Sequence, residues 1–434
     1  MTRHARTLLV KARLPRLAFS LILLALCGGS SLGARTLCVN VGPARSGCFS
    51  TIMAAVNAAS AGDMVLVAPG TYNENVVIGK SLSIVGANKQ TTIVEATGLS
   101  NGFNVDGLHN EGLARVSISG FTVQNANFQG IVVTNASDVA ISNNIVQGND
   151  KNLTFPPNAP PTCPGIPQYF LPGEDFDCGE GIHLSGADHS IVSGNVVQNN
   201  SGGILLSDDT APNHDNLISN NLVQNNPYDC SITLASHHFS MQLDPNWGVF
   251  HNTVTGNTSN NNGHATGEGA GVGLFAAASG GATFGNRVIN NVLTNNGLPG
   301  VAMHSHTAPQ NLNDNVIVGN QISGNGPDPD PNTVLPTGIV VFSDDSGGAP
   351  PITGTVIAQN TIKNEGIDIA VKTPGTVIIH FNNLLDPIGV DNLGTGSVDA
   401  TQNWWSCATG PGTAGCGMAM GPNIQFIPWL VTPF

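Results

Sequence analysis

The sequence predicts an all-β solenoid, a β-helix in which the short strands of each coil stack on those of the next. A pattern of apolar residues two apart, then Asn, then a second apolar pair occurs eight times, first as ISNNIVQGN at 141–149. The shortest repeat distance, from Asn360 to Asn383, is 23 residues, about one coil. Charged residues are only 10% of the chain, yet the regular spacing of the apolar residues argues against disorder.

One Asn of each repeat is predicted to occupy the same place in its coil. The eight residues are Asn144, Asn195, Asn221, Asn252, Asn291, Asn320, Asn360 and Asn383. In stacked coils, such Asn side chains hydrogen-bond their own turn and the turn of the next coil. Longer distances, such as the 51 residues from 144 to 195, indicate loops inserted into an otherwise constant coil.

The first 34 residues predict a secretory signal peptide. Five basic residues precede an apolar run from Leu17 to Leu26, and small residues follow to Ala34, where we expect cleavage. Cys27 leaves a lipoprotein signal as an alternative, although Leu26 occupies the place of the expected small residue. No later apolar stretch is long enough to span a membrane, so we expect a secreted protein, extracellular or periplasmic.

The chain that remains after this cleavage is strongly acidic. Nine of the 14 basic residues and all 28 acidic residues would remain, which gives a formal net charge of −19. A surface of this charge repels nucleic acid and anionic membranes. The expected partner is therefore a polysaccharide, with no nucleic acid and no membrane span.

Seven cysteines follow the predicted signal peptide, and six of them fall into close pairs that bracket loops rich in Gly and Pro. The pairs are Cys38 with Cys48, Cys163 with Cys178, and Cys407 with Cys416. This spacing predicts three local disulfides formed in an oxidising compartment. Cys230 is left over, and we expect it to be a buried apolar thiol.

Segments at both ends of the repeats are predicted to cover the solenoid, since an uncovered coil would expose strand edges and core. Residues 35–75 form the N-terminal cap, which includes a short capping helix within residues 50–60. The coils occupy residues 76–403. Residues 404–434 form a closing tail whose two adjacent tryptophans plug the core.

A strand upstream of each Asn repeat is predicted to present two outward positions, because side chains alternate along a strand. The first outward position holds Val132, His183, Leu205, Thr233, Gly273, Ala302 and Val340. The second holds Thr134, Ser185, Ser207, Ala235, Phe275, His304 and Phe342. Coils lie about 4.8 Å apart, so residues at one position should line up. This register brings His and Asp side chains of about five coils to one face.

The chain resembles a known family in its coils, in the segment AGDMVLVAPGTYNENVVI before them and in NWWS followed by GP after them. These features are similar to those of secreted, right-handed parallel β-helix proteins of the pectin-lyase-like superfamily. The resemblance covers about residues 50–410 and is nearest the group named after a periplasmic copper-processing protein. It implies a single-stranded right-handed β-helix, but the activity stays open, because this fold hosts lyases, hydrolases, epimerases, adhesins and tailspikes.

The predicted face and its neighbouring loop carry carboxylates and imidazoles suited to acid–base chemistry. The candidate catalytic residues are Asp208, Asp209, His237, His304, His306, Glu180 and Asp177. Glycoside hydrolysis needs one protonated acid and one carboxylate, and His can relay protons or orient the substrate. An alternative is that SDD at 207–209 is only a turn in which Asp caps backbone N–H groups, because SDDS recurs at 343–346.

Aromatic side chains next to these groups suit sugar rings, which stack on aromatic planes. The candidate substrate-binding residues are His183, Trp247, Tyr169 and Phe275. No cofactor is required by this hypothesis. Cu or Zn could nevertheless bind His304 and His306, which share one strand face, with His237 as a further ligand. Calcium at the acidic loop 173–180 is another possibility, with a solvated, disulfide-tied loop as its alternative.

The hypothesis that best accounts for these features is binding and hydrolysis of a neutral or weakly charged polysaccharide. Polyuronate lyases and epimerases are less favoured, because they need cations to neutralise the substrate carboxylate and the predicted face has few of them. A non-catalytic adhesion β-helix and a periplasmic Cu- or Zn-binding protein are the two alternatives. The sequence names neither the glycan nor the linkage.

Overall fold

The computed structural model describes residues 33–41, 47–157, 159–167 and 178–434. Arg35–Phe434 forms one compact unit, a right-handed parallel β-helix, as predicted. Each full coil contributes one strand to each of three long sheets, here called sheets A, B and C in the order in which the chain visits them. Residues 1–32, most of the predicted signal peptide, lie outside the described residues.

The three long sheets run the length of the solenoid, and a small sheet D joins three coils. Sheet A contains Thr36–Val39, Met64–Val67, Ser83–Gly86, Ser117–Ser119, Ala140–Ser142, Ile191–Ser193, Leu217–Ser219, Thr253–Thr255, Arg287–Ile289, Val316–Val318, Val356–Ala358, Thr376–His380, Ser397–Asp399 and Ile424–Gln425. Sheet B contains Gly70–Tyr72, Thr92–Glu95, Thr122–Gln124, Ile145–Gln147, Val196–Gln198, Leu222–Gln224, Thr258–Asn260, Val292–Thr294, Gln321–Ser323, Thr361–Lys363 and Asn383–Leu384. Sheet C contains Val76–Ile78, Phe103–Asp106, Ile131–Thr134, Glu180–Ser185, Gly202–Ser207, Ile232–Ser236, Val272–Ala276, Val301–Ser305, Thr337–Ser343, Ile367–Lys372, Ile388–Asn392 and Met418–Met420. Sheet D contains Asn213–His214, Val249–Phe250 and Thr283–Phe284.

Inward side chains of the three long sheets form one continuous apolar core. In a single coil, Leu184 of sheet C, Val192 of sheet A and Val197 of sheet B are all fully buried in it. The strands are short and rich in Val and Ile, which pack well on a pleated surface. Because every coil repeats this arrangement, each apolar face is buried only by stacking on its neighbours.

Buried Asn side chains form three ladders at the turns between strands. In the first ladder, Asn195 Oδ1 accepts the backbone N–H of Asn144 at 2.9 Å, and the same contact recurs in successive coils. Its members are Asn144, Asn195, Asn221, Asn257, Asn291, Asn320, Asn360, Asn382 and Asn403. The second ladder contains Asn149, Asn200, Asn226, Asn262, Asn296 and Asn325. The third contains Asn216, Asn252, Asn286 and Asn315.

Two of the eight predicted Asn equivalences are wrong. Asn252 belongs to the third ladder, and Asn257 takes the place predicted for it. At the far end, Asn382 rather than Asn383 continues the first ladder. Asn257 follows Asn252 by five residues, and Asn383 directly follows Asn382. The sequence pattern alone therefore permits either Asn of each pair to be aligned with the other repeats.

The predicted capping helix is Ile52–Ala58, and it covers the first coils. Its N-terminal N–H groups are satisfied by side chains: Thr51 Oγ1 accepts from Ala54 N at 3.1 Å, and the Glu74 carboxylate accepts from the N–H of Ile52 and of Met53, each at 2.8 Å. These contacts satisfy donors that a helix start leaves without intrahelical partners.

The sheets extend past the predicted coil region of 76–403 on both sides. Sheet A already starts at Thr36, inside the predicted cap, and its last strand, Ile424–Gln425, lies in the predicted tail. Trp405 is fully buried in the core at that end, whereas Trp404 is half-buried, so one tryptophan rather than two fills the core.

All three predicted disulfides are confirmed: Cys38–Cys48, Cys163–Cys178 and Cys407–Cys416. Cys230 is buried, as predicted, and its sulfur accepts a hydrogen bond from the backbone N–H of Ala270 at 3.1 Å. In the part of the chain that the structure describes, no helix combines the length and apolar character needed to cross a bilayer.

Candidate functional site

The outer face of sheet C carries the predicted ladders in the predicted register. At the first outward position, His183 pairs with Leu205 and then Thr233, and at the second, Phe275 pairs with His304 and then Phe342. The alternation of side chains along parallel strands therefore fixes which groups can meet. They gather into two clusters separated by Phe275.

The first cluster centres on the buried carboxylate of Asp209. Its Oδ1 accepts a hydrogen bond from His237 Nδ1 at 2.7 Å, and its Oδ2 accepts one from Ser207 Oγ at 2.7 Å. His183 Nε2 lies 2.8 Å from Ser207 Oγ and 3.7 Å from Asp209 Oδ2. Adjacent coils thus place two imidazoles and a hydroxyl around one carboxylate, as the predicted ladder requires.

Burial and charge fix the protonation of this cluster. Burial would raise the pKa of Asp209, but the contacts with His237, His183 and Ser207 outweigh it, and the net pKa lies below its usual value. Burial lowers the pKa of His183 to about 4, against the opposing charge of Asp209. At neutral pH, Asp209 is therefore ionised and His183 is neutral.

Asp208 has the capping role that the sequence left as an alternative. Its Oδ1 accepts the backbone N–H groups of His237 and His238 at 2.7 and 3.3 Å, and its Oδ2 accepts from Ser236 Oγ at 2.7 Å. The side chain is 1% exposed. The prediction of Asp208 as an acid–base catalyst is therefore corrected, because its carboxylate holds the turn of the next coil.

Asp229, which sequence reasoning missed, forms a buried carboxyl pair with Glu180. The two side chains are hydrogen-bonded to each other, and each is at most 6% exposed. Burial raises the pKa of Asp229, against the opposing hydrogen bonds and the charge of His237. Two carboxyl groups in contact cannot both ionise readily, so they share a proton.

Phe275 forms the wall between two spaces on this face. A cavity of about 10 Å³, with Asp229 and His237 in its lining, lies on one side. A cleft of about 370 Å³, with His304, His306 and Asp330 in its lining, lies on the other. The Phe275 ring folds over Gly273, where a Cβ would lie 2.2 Å from Cε2 of the ring, so only glycine permits this position.

The second cluster surrounds His304 on the next strand. His304 Nε2 lies 2.7 Å from Asp328 Oδ2, and its Nδ1 lies 3.1 Å from Asp330 Oδ2. His306 Nε2 lies 3.4 Å from the same Asp330 oxygen. His304 is 6% exposed, whereas His306 and Asp330 are exposed and border the cleft.

The two imidazoles of this cluster have opposite preferences for a proton. Burial would lower the pKa of His304, but Asp328 and Asp330 outweigh it and raise the pKa to about 10. Burial and the positive charge of His304 lower the pKa of His306. The hydrogen bond from His304 lowers the pKa of Asp330. At neutral pH His304 is therefore an imidazolium held between two carboxylates.

Several predicted site residues lie away from the two spaces. His183 is 1% exposed, so the prediction that it contacts substrate is corrected: its Nε2 instead contacts Ser207 Oγ at 2.8 Å. Trp247 packs against His238, with ring centroids 4.8 Å apart. Tyr169 and Asp177 lie outside the described residues.

Asp229, Asp328 and Asp330 are the site residues that the sequence did not reveal. Asp229 comes just before a strand of sheet C, a place outside the two outward positions that were aligned. Asp328 and Asp330 belong to the segment PDPDP at 327–331. A Pro-rich loop after an Asn repeat was a usable signal, because proline restricts the backbone and holds the intervening side chains.

The fold agrees with comparisons to known proteins. A family model described as "Right handed beta helix region" matches residues 81–289. No curated protein sequence matches the chain. The similarity found by sequence is therefore confined to a part of the coils.

Solved structures extend the likeness over most of the chain. DFA-IIIase from Arthrobacter chlorophenolicus A6 without its lid, in complex with GF2, has a TM-score of 0.53 at 14% identity, covering 91% of this chain and 99% of that chain. The same enzyme in complex with GF2 gives 0.52 at 14% identity, covering 92% and 100%. An alginate lyase from Paenibacillus sp. str. FPU-7 gives 0.46 at 12% identity, covering 84% and 99%. At such identities the DFA-IIIase structures show the fold alone, a right-handed parallel β-helix.

Proposed function

We propose that the chain is a carbohydrate-active β-helix protein that hydrolyses a glycosidic bond on the outer face of sheet C. One observation carries the proposal: His237 is hydrogen-bonded to Asp209, whose pKa is lowered, and lines the same small cavity as Asp229, whose pKa is raised by burial. Neighbouring carboxyl groups whose surroundings push their pKa values apart are the arrangement that acid–base chemistry at neutral pH requires.

In this proposal, His237 and Asp229 are the catalytic residues. Asp229, which shares a proton with Glu180, donates that proton to the leaving glycosidic oxygen as the C–O bond breaks. His237 accepts a proton from the water whose oxygen forms the new bond to the anomeric carbon. Asp209 is a positioning residue, because it holds the His237 ring through Nδ1, as a carboxylate orients the base in hydrolytic triads.

The two spaces beside Phe275 suit the two reactants. The cavity lined by His237 and Asp229, at about 10 Å³, is roughly the room of one water molecule. The cleft of about 370 Å³ has the size of a small-ligand site, and the Phe275 ring offers a stacking surface for a sugar. Phe275 lines both spaces, so the proposed reaction requires this ring to turn aside and let the sugar in the cleft reach His237 and Asp229.

A neutral or weakly charged glycan is the preferred substrate class. The chain after residue 34 has a formal net charge of −19, which disfavours a polyanion. In the cleft, the positive charge of His304 is already matched by Asp328 and Asp330. A uronate carboxylate would therefore meet more negative than positive charge.

The three disulfides support export to an oxidising compartment. There the protein would encounter the polymeric glycans proposed as its substrate. Export through a signal peptide and kinship with the group named after a periplasmic copper-processing protein stay predictions. The likeness to DFA-IIIase contributes the shared scaffold and assigns no residue.

Substitution of the two catalytic residues tests the proposal. We expect the wild-type chain to release reducing ends from at least one member of a panel of neutral polysaccharides. Asp229→Asn and His237→Gln should each lower kcat by about 10²- to 10⁴-fold, the usual contribution of a general acid or base, with little change in KM. Reducing-end assays with each purified polysaccharide measure both constants.

A matched control is Asp138→Asn, because Asp138 is exposed at a turn of sheet A and has a φ of 54°, which Asn tolerates. This variant should keep full activity. Glycan binding without hydrolysis by the wild type would favour the adhesion alternative. Equal activity of Asp229→Asn and the wild type would remove Asp229 from the mechanism.

A further inference from the structure

Three side chains in the cleft present nitrogen and oxygen atoms that converge on one point. In the described part of the chain, His304, His306 and Asp330 form the one group of three whose metal-binding atoms all lie within 4.8 Å of one another. His304 lies on the strand Val301–Ser305, and His306 comes directly after the end of that strand. Asp330 lies in the loop that follows the next Asn repeat. His237 does not belong to this group, because it lines the cavity on the other side of Phe275.

Two of the three separations between these atoms are close to those of a tetrahedral metal site, and the third, between the two imidazoles, is at most 4.8 Å. Ligand atoms about 2.0–2.1 Å from a tetrahedral ion lie roughly 3.4 Å from one another. Asp330 Oδ2 lies 3.1 Å from His304 Nδ1 and 3.4 Å from His306 Nε2. An ion would therefore need only small side-chain movements to reach all three ligands.

Asp328 gives His304 the support that metal-binding histidines usually have. Its Oδ2 lies 2.7 Å from His304 Nε2, and its side chain is fully buried. A carboxylate that accepts the N–H of one ring nitrogen fixes the tautomer and turns the other nitrogen towards the metal. Here that other nitrogen, Nδ1, is the atom that faces Asp330.

Aromatic rings restrain both imidazoles while the cleft leaves one side open. The His304 ring lies 5.1 Å from Phe275 and 5.7 Å from Phe342, and the His306 ring lies 5.6 Å from Phe342. Lys372 lies over Phe342, with its Nζ 5.3 Å from the ring centroid, and, like the protonated His304, it is a positive charge that opposes a cation. Asp328 and Asp330 together offset these two charges.

We propose that His304, His306 and Asp330 bind a divalent transition-metal ion, with Asp328 positioning His304 and the cleft supplying an open coordination position. Two imidazoles and one carboxylate suit Zn²⁺ and ions of similar preference more than Ca²⁺, which favours oxygen ligands. The site shares its cleft with the proposed sugar, but metal binding can be measured apart from hydrolysis, because His237 and Asp229 line the cavity on the other side of Phe275.

Direct binding of Zn²⁺ tests the inference. The full chain, purified without a His tag and stripped with a chelator, should bind one Zn²⁺ per molecule in calorimetric titrations and retain it after gel filtration, as measured by elemental analysis. Ca²⁺ should bind at least tenfold more weakly at this site.

Asp330 and His306 are exposed, so their substitution should weaken metal binding without unfolding the chain. Asp330→Asn and His306→Gln should each weaken Zn²⁺ binding by tenfold or more, and Asp328→Asn should weaken it by about 10- to 100-fold, as for other supporting carboxylates. His109→Gln, an exposed histidine paired with Asp106, is the matched control and should bind as the wild type does. Substoichiometric binding, or equal affinity in wild type and Asp330→Asn, would overturn the proposal.

Discussion

At the scale of single residues, the buried Asn side chains connect each coil to the next through both their oxygen and their nitrogen. Asn257 Oδ1 accepts the backbone N–H and the Nδ2–H of Asn221, both at 3.0 Å. Its own Nδ2 donates to Ile218 O at 2.9 Å and to Asn291 Oδ1 at 3.0 Å. Buried groups of this kind are costly when they lose a partner.

Asn257→Ala should therefore destabilise the chain more than loss of the side-chain volume suggests. It leaves the backbone N–H of Asn221 and the carbonyl of Ile218 without these partners, and each buried unsatisfied group costs about 1–3 kcal/mol. We expect a loss of at least about 2 kcal/mol, measured by urea unfolding. Asn246→Ala, at an exposed loop position, should change stability by less than about 0.5 kcal/mol.

The residues of the first cluster were predictable from sequence because the strand period decides which side chains point outward. His183, Asp209 and His237 follow from that period and from the repeat. Asp229 does not, because its contact with Glu180 depends on how the turn before the strand is shaped. The burial that gives His183 its neutral form was also hidden, since no sequence pattern reports which insertion covers which coil.

At the scale of elements, the second Asn ladder ends in carboxyl groups. Glu365 takes the next place after Asn325, accepts its Nδ2–H at 2.9 Å, and donates its backbone N–H to Asp386 Oδ2 at 2.9 Å. Burial raises the pKa of Glu365 to about 7, against the hydrogen bonds from Asn325 and with the help of the Asp386 charge. Burial also raises the pKa of Asp368, whose Oδ2 accepts the backbone N–H of Asp386.

This end of the ladder should make stability depend on pH. The pKa of Glu365 is higher in the folded chain than its ordinary value of 4.5, so the folded state binds the proton more tightly. Its contribution to stability is greatest below pH 4.5 and declines as pH rises through about 7. Glu365→Gln, which keeps an acceptor for Asn325 and removes the charge, should therefore raise the melting temperature at pH 8 and change it little at pH 4.5.

Thermal unfolding at the two pH values measures this difference. Glu111→Gln removes the same charge at an exposed position and serves as the control, with equal small effects at both pH values. A melting temperature for Glu365→Gln below that of the wild type at pH 8 would contradict the assignment of a strained, ionised Glu365.

The ladders also explain where sequence reasoning about elements failed. Asn occupies up to three places in one coil, five residues apart, as Asn216, Asn221 and Asn226 show. Because Asn recurs every five residues within one coil, a repeat can be aligned five residues out of place. Asn252 was assigned to the wrong ladder in this way. Only the pairing of strands in three dimensions distinguishes these places.

At the scale of the whole molecule, the two ends are the weak points of a solenoid, because a terminal coil has a neighbour on one side only. The helix Ile52–Ala58 covers the first coils and contributes Ile52, Ala55 and Val56 to the core. At the other end, Trp405 is fully buried. The fold was predictable as a whole because the repeat is long and regular, whereas the exact ends were not, since strands there depart from the repeat.

Ile52→Asp should expose the first coil and promote association through open strand edges. The buried, charged side chain should cost about 3 kcal/mol or more, and the variant should elute earlier or aggregate in size-exclusion chromatography with light scattering. Asn57→Asp adds the same charge at an exposed position of the same helix and should remain indistinguishable from the wild type. Matching behaviour of the two variants would show that the helix is not a protective cover.

The constant register of sheet C from Ile131 to Lys372 has a consequence for the engineering of such chains. The stretch from Asn195 to Asn221 is a complete winding of 26 residues with no inserted loop. Duplicating this unit would shift everything downstream by a single rung and leave the other windings joined as before, whereas removing it would delete Asp209 itself. The separation between the Asp209 and His304 clusters can therefore change only by whole coils, about 4.8 Å each. Inserting a coil between them would lengthen the outer face of sheet C by one such step without altering the shape of any other coil.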